Sequence, residues 1–179
     1  ATPVVNIMSP FANNTSTNDN TPAIAFNFTD SDNLTGNAVL YFNSTAKANN
    51  ESAQNNTPTN LTATALSDGI YNFWVNVSDN ITNISSAINQ VIIDTTIPEN
   101  VSGVSAAQRD AGWINATWAI PADTSGINHT EVWVSDTFKS NVSAPANYYN
   151  PTSLIASPSY TFQLRAVDSA QNSGNWTTT

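Results

Sequence analysis

The amino-acid sequence predicts an all-β protein built from two β-sandwich modules in tandem. Short segments in which apolar and polar residues alternate recur roughly every ten residues between turn signals, a pattern typical of half-buried strands. No segment shows apolar residues at helical spacing over several turns. The length of 179 residues suits two modules, because sandwich domains usually have about 100 residues.

The first module is predicted to span residues 1–97. Phe26 and Phe28 alternate with polar residues, so their side chains are expected to point into a core. The segment Ala46–Thr59 is rich in Asn, Ala and Gln and is predicted to be a long exposed loop. The predicted strands are Val4–Met8, Ala23–Thr29, Ala38–Asn43, Leu61–Ala65, Ile70–Ser78 and Ile88–Asp94.

The second module is predicted to span residues 98–179. Pro98 cannot donate a ladder hydrogen bond and follows a polar segment, so we expect the boundary at this point. The last strand is predicted to be short, because the sequence ends at Thr179, or to be supplied from elsewhere, because an open sheet edge needs a cover. The predicted strands are Val101–Ala107, Trp113–Ala119, Glu131–Ser135, Tyr148–Ala156, Tyr160–Asp168 and, in part, Trp176–Thr179.

Three segments of the second module carry a family likeness. Pro98–Val101 opens the module, and Ile114–Pro121 alternates around Trp118. Leu154–Asp168 places a leucine six residues before Tyr160, at the start of an alternating strand. In these features the module resembles a fibronectin type III domain. The resemblance implies that Trp118 lies in the core and that the hydroxyl of Tyr160 bonds to upstream backbone, the arrangement known as the tyrosine corner.

The first module has different marker segments. Ser67–Tyr71 leads into a long alternating strand that ends in Val77–Asn80, and the module closes on Asp94–Pro98. These segments resemble the Ig-like repeats of bacterial and archaeal surface proteins. The resemblance implies a stalk, an adhesin, a surface-layer component or a fibre subunit, although a fold alone does not fix a function.

Asparagine is the most unusual part of the composition. The chain has 27 asparagines, and its Ser and Thr content would place a hydroxyl residue two positions after about 6 or 7 of them by chance. Sixteen have one, with no proline between, which is the acceptor pattern for N-glycosylation. Residues i and i+2 share a face of a strand, so these side chains are expected on solvent faces. The predicted acceptors are Asn13, Asn14, Asn27, Asn33, Asn43, Asn50, Asn55, Asn60, Asn76, Asn80, Asn83, Asn100, Asn115, Asn128, Asn141 and Asn175.

The charge balance agrees with an exported glycoprotein. Charged residues are 9% of the chain, and hydrated sugars could replace surface charge in keeping molecules apart. A net charge of −9 with four basic residues leaves nothing to neutralise a row of phosphates, so neither nucleic acid nor an anionic membrane is an expected partner. No apolar run is long enough to span a bilayer. An extracellular or cell-surface location is therefore expected.

Catalytic chemistry is not expected. The chain has no cysteine, and its one histidine, His129, lies inside a sequon at a predicted turn or strand edge. Asp30, Asp32 and Asp94 are candidates for a calcium site, since the first two alternate in a loop and the third lies at the module boundary. Turn formation by Asp is the favoured interpretation, and covalent N-glycans are the only cofactor expected.

Alternation also predicts that Trp74 and Trp133 point outward, while their valine neighbours point inward. An outward tryptophan usually has a partner. The expected partner is one of the chain's own glycans, then a neighbouring subunit, then an external sugar, in that order of preference.

Together these observations predict an extracellular, heavily N-glycosylated structural protein. It is expected to be a subunit of a surface fibre that assembles head to tail with copies of itself, through strand donation, or to pack against neighbouring modules of one surface protein. A first strand at Val4–Met8 that pairs within its own module would count against strand donation. The alternative is a carbohydrate-binding or adhesive module of a larger surface protein. The cysteine-free, asparagine-rich composition suggests an archaeal source.

Overall fold

The computed structural model describes residues 3–9, 11–110, 112–152, 154–155 and 159–179. All of the regular structure in these residues is β, and the predicted fold class is confirmed. The described residues contain no helix that could cross a membrane. By contact, the chain separates into two compact units, Ala1–Thr95 and Thr96–Thr179. The division lies two residues before the predicted boundary.

The first unit is a sandwich of two sheets. Its strands are β1 (Val4–Ser9), β2 (Thr15–Thr17), β3 (Ala23–Thr29), β4 (Thr35–Phe42), β5 (Thr45–Gln54), β6 (Thr59–Thr62), β7 (Gly69–Ser78), β8 (Asn83–Ser85) and β9 (Asn89–Ile93). One sheet has the order β1-β3-β6, and the other has the order β2-β9-β7-β4-β5 with β8 beside β7. Strands β2 and β9 are parallel, and the other described pairs are antiparallel.

The second unit is also a two-sheet sandwich. Its strands are β10 (Ser102–Asp110), β11 (Trp113–Ala119), β12 (Ile127–Val134), β13 (Thr137–Ser143), β14 (Tyr148–Tyr149), β15 (Phe162–Asp168) and β16 (Thr177–Thr178). The sheets have the orders β10-β11-β14 and β13-β12-β15-β16, and their described pairs are antiparallel.

Each unit has its own core. In the first unit Phe26 and Phe28 are fully buried, as the alternation predicts, and the rings of Phe42 and Phe73 stack with centroids 5.5 Å apart. Burial of one such side chain stabilises the fold by about 1.5–3 kcal/mol. In the second unit Trp118 is buried, and this prediction is also confirmed.

The core tryptophan of the second unit also has its polar atom satisfied. The indole N–H of Trp118 donates to the hydroxyl of Thr130 at 3.2 Å, and Thr130 is itself buried. A buried N–H without a partner would cost roughly 1–3 kcal/mol, so this bond makes a tryptophan acceptable at the centre of the sandwich.

The predicted loop at Ala46–Thr59 is wrong over most of its length, because Thr45–Gln54 is strand β5. A turn at Asn43 and Ser44, with φ of 45° and 68°, joins β5 to β4. Strand β5 lies at the edge of its sheet, and Ala53 is its one buried residue. An edge strand that faces solvent needs no apolar alternation, so its sequence resembles that of a loop.

The other differences between the predicted and the observed strands have similar causes. Strands β2, β8 and β13 were not predicted, and each is short or lies at a sheet edge. The predicted strand Tyr148–Ala156 is reduced to Tyr148–Tyr149, and Pro151, which cannot donate a ladder hydrogen bond, follows soon after. Residues 153 and 156 of that prediction lie outside the described residues.

The edges that strand donation would use are paired within their own units. Strand β1 pairs with β3 along its length. The outer edge of β15 is covered by the last residues of the same chain, since Ser173 bridges Val167, Gly174 N–H donates to the carbonyl of Ala166, and β16 pairs with β15. Strand β16 has two residues, and it belongs to the same chain as β15.

The tyrosine corner is present. The hydroxyl of Tyr160 accepts the N–H of Ile155 at 2.9 Å and donates to the carbonyl of Ile155 at 3.1 Å. Strand β15 begins soon afterwards with the buried Phe162. The two hydrogen bonds fix the chain where it enters β15, as the resemblance implied.

Replacing Tyr160 with Phe removes both hydrogen bonds and leaves the ring. The free energy of unfolding of the second unit is expected to fall by about 1–2 kcal/mol, since each bond contributes roughly 0.5–1.5 kcal/mol net. Urea denaturation measures this change. Tyr148→Phe, at a tyrosine that is 55% exposed, is the matched control and should have little effect. Equal stabilities of the two variants would contradict the assigned role.

Candidate functional site

The structure places all 16 sequon asparagines outside the two cores. Ten are exposed and six are half-buried. The exposed residues are Asn13, Asn14, Asn43, Asn60, Asn80, Asn83, Asn100, Asn128, Asn141 and Asn175. The half-buried residues are Asn27, Asn33, Asn50, Asn55, Asn76 and Asn115.

Within strands, the placement of these asparagines follows from the alternation of side chains. In β7, Val75 and Val77 are fully buried and Asn76 between them reaches the outer face. In β3, Asn27 lies between two buried phenylalanines in the same way. A strand sequon therefore presents its asparagine and its hydroxyl residue on the same outward face.

The hydrogen bonds of the amide nitrogen separate the sequons into classes. A glycan is attached to Nδ2 and replaces one of its two hydrogens, so an asparagine that donates one Nδ2 bond can still carry a sugar. Three asparagines donate one such bond: Asn33 to Asp79 Oδ2 at 3.1 Å, Asn43 to the carbonyl of Ile70 at 3.3 Å, and Asn76 to Ser85 Oγ at 3.1 Å.

Asn55 uses both amide hydrogens inside the protein. Its Nδ2 donates to the carbonyls of Asp30 and Asn33, and its Oδ1 accepts the N–H of Asp30 at 3.0 Å. These three bonds hold the connection between β3 and β4. A glycan on Asn55 would remove at least one of them, and no other sequon donates both amide hydrogens within the described residues.

The Asp30–Asn33 segment is the loop predicted as a calcium candidate. Asp30 Oδ1 accepts the backbone N–H of Asp32 at 2.7 Å and of Asn33 at 3.3 Å, which is the geometry of an Asp-closed turn. Asp30 Oδ2 is buried and has no hydrogen-bond partner in the described part of the chain. The turn thus uses one of the two carboxylate oxygens of Asp30. A calcium site would need six to eight oxygen ligands in total.

Asp79 lies beside this loop and accepts several hydrogen bonds. Its Oδ1 accepts the N–H of Thr82 at 2.6 Å and of Ile81 at 2.9 Å. These backbone donors, Thr82 first, hold the pKa of Asp79 below its usual value, against the opposing effect of burial. Asp79 therefore stays ionised and can accept the amide of Asn33.

Asp94 lies at the other end of the same sandwich from Asp30 and Asp32. Asp94 follows β9, and the last residue of β9 pairs with the first residue of β7. Asp79 follows the last residue of β7 and is hydrogen-bonded to Asn33 of the loop that contains Asp30 and Asp32. Strand β7 has ten residues, so these ends are about 30 Å apart. The structure therefore does not bring the three calcium candidates into one site.

The second unit contains a carboxylate pair that the sequence pattern does not indicate. Oxygens of Asp123 and Asp168 lie within 4.8 Å of each other. Each carboxylate also has a local role, since Asp168 accepts two bonds from Asn172 and Asp123 accepts two from Ser125. Asp123 is a turn residue close to Pro121 and Gly126, so its sequence context indicated a turn and not a partner.

The outward tryptophan of the first unit has a partner in its own sheet. Trp74 stacks on Tyr41 of the paired strand β4, with centroids 5.4 Å apart and an interplanar angle of 12°. Its neighbour Val75 is fully buried, as predicted. The stack covers part of both rings without any other molecule.

The second unit has a larger cluster on the outer face of its four-stranded sheet. Trp133 meets Phe138 edge-on at 5.9 Å and Trp176 edge-on at 6.0 Å, and the guanidinium of Arg165 lies 4.6 Å from the centre of the Trp176 ring. We call Trp133, Phe138, Arg165 and Trp176 the aromatic patch. Arg165 is held by two hydrogen bonds to Glu131, at 2.8 and 3.1 Å.

The aromatic patch borders a cavity of about 230 Å³, lined by Trp133, Asp136, Gln163 and Trp176. The indole nitrogen of Trp133 is buried and finds no acceptor among the described residues. An aromatic floor with a few polar groups at its rim is the usual composition of a small-molecule site. The sequence predicted that Trp133 points outward, but it gave no signal that Trp176 and Arg165 lie beside it.

The fold is similar to that of known fibronectin type III modules. The fibronectin(III)-like modules of CbhA from Clostridium thermocellum match with a TM-score of 0.56 at 15% identity, over 98% of this chain and 91% of that one. The FN1–FN3 domains of chicken CNTN1 match with a TM-score of 0.59 at 12% identity, over 99% of this chain and 64% of that one. The fold is that of tandem fibronectin type III modules. No protein-family model and no curated protein sequence matches the chain.

Asn55→Ala is expected to lower the free energy of unfolding of the first unit by about 2 kcal/mol, because partly buried backbone groups of the β3–β4 connection lose their partners. Asn60→Ala, at an exposed sequon of the same unit, is the matched control. Both variants are produced in a host that attaches no glycans, and their stabilities are compared by urea denaturation. A similar loss in both variants would show that Asn55 has no special structural role.

Asp79 predicts an acid-dependent loss of stability. The pKa of Asp79 is lower in the folded state than the ordinary 3.8. Its ionised carboxylate therefore makes its full contribution to the free energy of unfolding above pH 3.8, and this contribution is lost as the pH falls through the folded pKa. Between about pH 5 and pH 2, the melting temperature of wild type should fall more steeply than that of Asp79→Asn. Asp136→Asn controls for the loss of one negative charge, and parallel curves for all three proteins would refute the prediction.

Proposed function

We propose that this chain is an extracellular structural glycoprotein segment, in which two β-sandwich modules carry N-glycans on most of their sequons. The observation that carries the proposal is the placement of all 16 acceptor asparagines outside the cores, ten of them exposed. An excess of sequons in the sequence is thus matched by side chains that an oligosaccharide could reach. Neighbouring modules of a larger protein are the partners that the tandem fold supports.

The surface chemistry supports the same function. Charged residues make up 9% of the chain, and Asn, Ser and Thr dominate the outward positions of the strands. Such a surface has few charged groups to hold water, and a coat of sugars would supply the missing hydration. The cysteine-free, asparagine-rich composition is our reason for proposing an archaeal surface protein.

We propose no catalytic role for the chain. His129 lies on β12, and its Nδ1 is 2.9 Å from the amide oxygen of Asn128. A general-base histidine is normally oriented by a carboxylate, whereas the neighbour recorded for the ring of His129 is an amide.

Assembly into a surface fibre is part of the proposal, but strand donation is not its best mechanism. Strand β1 is already paired within its own unit, the result that counts against donation, and the outer edge of β15 is covered by the same chain. Head-to-tail contacts between side-chain surfaces remain open to copies of this protein. Calcium binding at Asp30, Asp32 or Asp94 stays a prediction that a calcium titration of the melting temperature can test.

The second candidate function is carbohydrate binding by the second unit. The aromatic patch and its adjoining cavity favour it, because aromatic rings with polar groups at the rim suit a sugar. In the first unit the outward tryptophan is already stacked on Tyr41, so the second unit is the better place for such a site.

Intact-mass spectrometry of the protein from its natural source tests the main proposal. The intact mass is expected to lie well above the mass of the bare polypeptide, and it should fall to the polypeptide mass after the glycans are removed. Peptide mapping should find sugars on most exposed sequons, such as Asn60 and Asn100, and none on Asn55. A native mass equal to that of the bare chain would overturn the proposal.

A further inference from the structure

The aromatic patch presents apolar surface on the outer face of the second unit. Trp176 is 43% exposed and Phe138 is 50% exposed. Surface of this kind, with a polar rim formed by Glu131, Asp136 and Gln163, usually marks a contact with another group. The question is which group covers it.

A predicted glycan acceptor lies on the same face. Asn141 on β13 pairs with Glu131 on β12, and cross-strand partners share a face with their Cβ atoms about 4.5–5.5 Å apart. Trp133 also projects from this face, two residues further along β12 and thus about 7 Å away. Asn141 is exposed. A sugar on its amide nitrogen would begin beside the aromatic patch.

We propose that the N-glycan attached to Asn141 folds over the aromatic patch and packs on Trp133 and Trp176. This inference rests on the proposed function, because it requires that the chain is glycosylated. One face of a pyranose ring consists of C–H bonds and packs against an aromatic ring, while its hydroxyl groups reach the polar rim. The cavity of about 230 Å³ is smaller than the roughly 300–1,000 Å³ of sites for drug-sized ligands and suits one sugar ring.

The tether favours this occupant over a free sugar or a second protein. A group linked by a short flexible connection has an effective concentration in the millimolar range, so it outcompetes dilute ligands of equal intrinsic affinity. A glycan that starts beside Glu131 would also stand between the aromatic patch and any protein surface.

A pair of substitutions at Ser143 tests the inference. Ser143→Ala destroys the sequon of Asn141, and Ser143→Thr keeps it, at an exposed position of β13. The proteins are produced in a host that attaches N-glycans, and occupancy is checked by peptide mapping. Asn100→Gln, which removes an exposed acceptor elsewhere in the second unit, is a further control, and Asn175→Gln removes the acceptor next to Trp176.

Two readouts are expected to agree. Sugar protons of the Asn141 glycan should show nuclear Overhauser effects to the indole protons of Trp133 and Trp176 in wild type and Ser143→Thr. The melting temperature of the second unit should fall by about 4 °C in Ser143→Ala and change little in Asn100→Gln. This loss should largely disappear in a Trp176→Ala background, because the two changes remove the same contact.

Several outcomes would overturn the inference. An occupied Asn141 without contacts to the indoles would show that its glycan extends into solvent. Contacts that vanish in Asn175→Gln and persist in Ser143→Ala would assign the aromatic patch to the other glycan. An unoccupied Asn141 on a chain glycosylated elsewhere would refute this inference alone, whereas a chain without any sugar would refute the proposed function as well.

Discussion

The two-residue period of the β-strand is the constraint on which both the core and the outer surface of this protein depend. In a strand sequon the asparagine and its hydroxyl partner share one face, and the residue between them must enter the core. Strand β7 shows this coupling, since Val75 and Val77 are fully buried and Asn76 reaches the outer face between them. The same alternation therefore builds the core of the sandwich and places the strand sequons on its outer faces.

This coupling also explains what could be predicted from the sequence. Strands with one buried face, such as the segment around Phe26 and Phe28, carry a strong alternation, and the tyrosine corner has a local spacing that identifies it. Strand β5 has one buried residue, Ala53, because it lies at a sheet edge, so its polar sequence resembles that of a loop. Edge strands are specified by their partner and by the turn before them, and neither leaves a periodic signal.

The candidate sites divide in the same way. The outward direction of a sequon asparagine within a strand follows from local alternation, whereas the hydrogen bonds of its amide depend on contacts with distant residues. Asn55 and Asn60 carry the same pattern, yet only Asn55 reaches back to Asp30 and clamps the β3–β4 connection. Likewise, the outward direction of Trp133 is local, but its neighbours Trp176 and Arg165 are set by strand register.

The charge distribution of the aromatic patch identifies the kind of partner that suits it. Arg165 is one of four basic residues in the chain, and two bonds to Glu131 neutralise it while its guanidinium covers part of the Trp176 ring. An anionic ligand would have to compete with Glu131 for the guanidinium of Arg165. A cationic ligand would be repelled by the positive charge of that guanidinium. A neutral group rich in hydroxyls meets neither penalty, because it can exchange hydrogen bonds at the rim and still cover the rings. The chemistry that the sequons would attach to this protein is therefore the chemistry that its exposed aromatic surface accommodates.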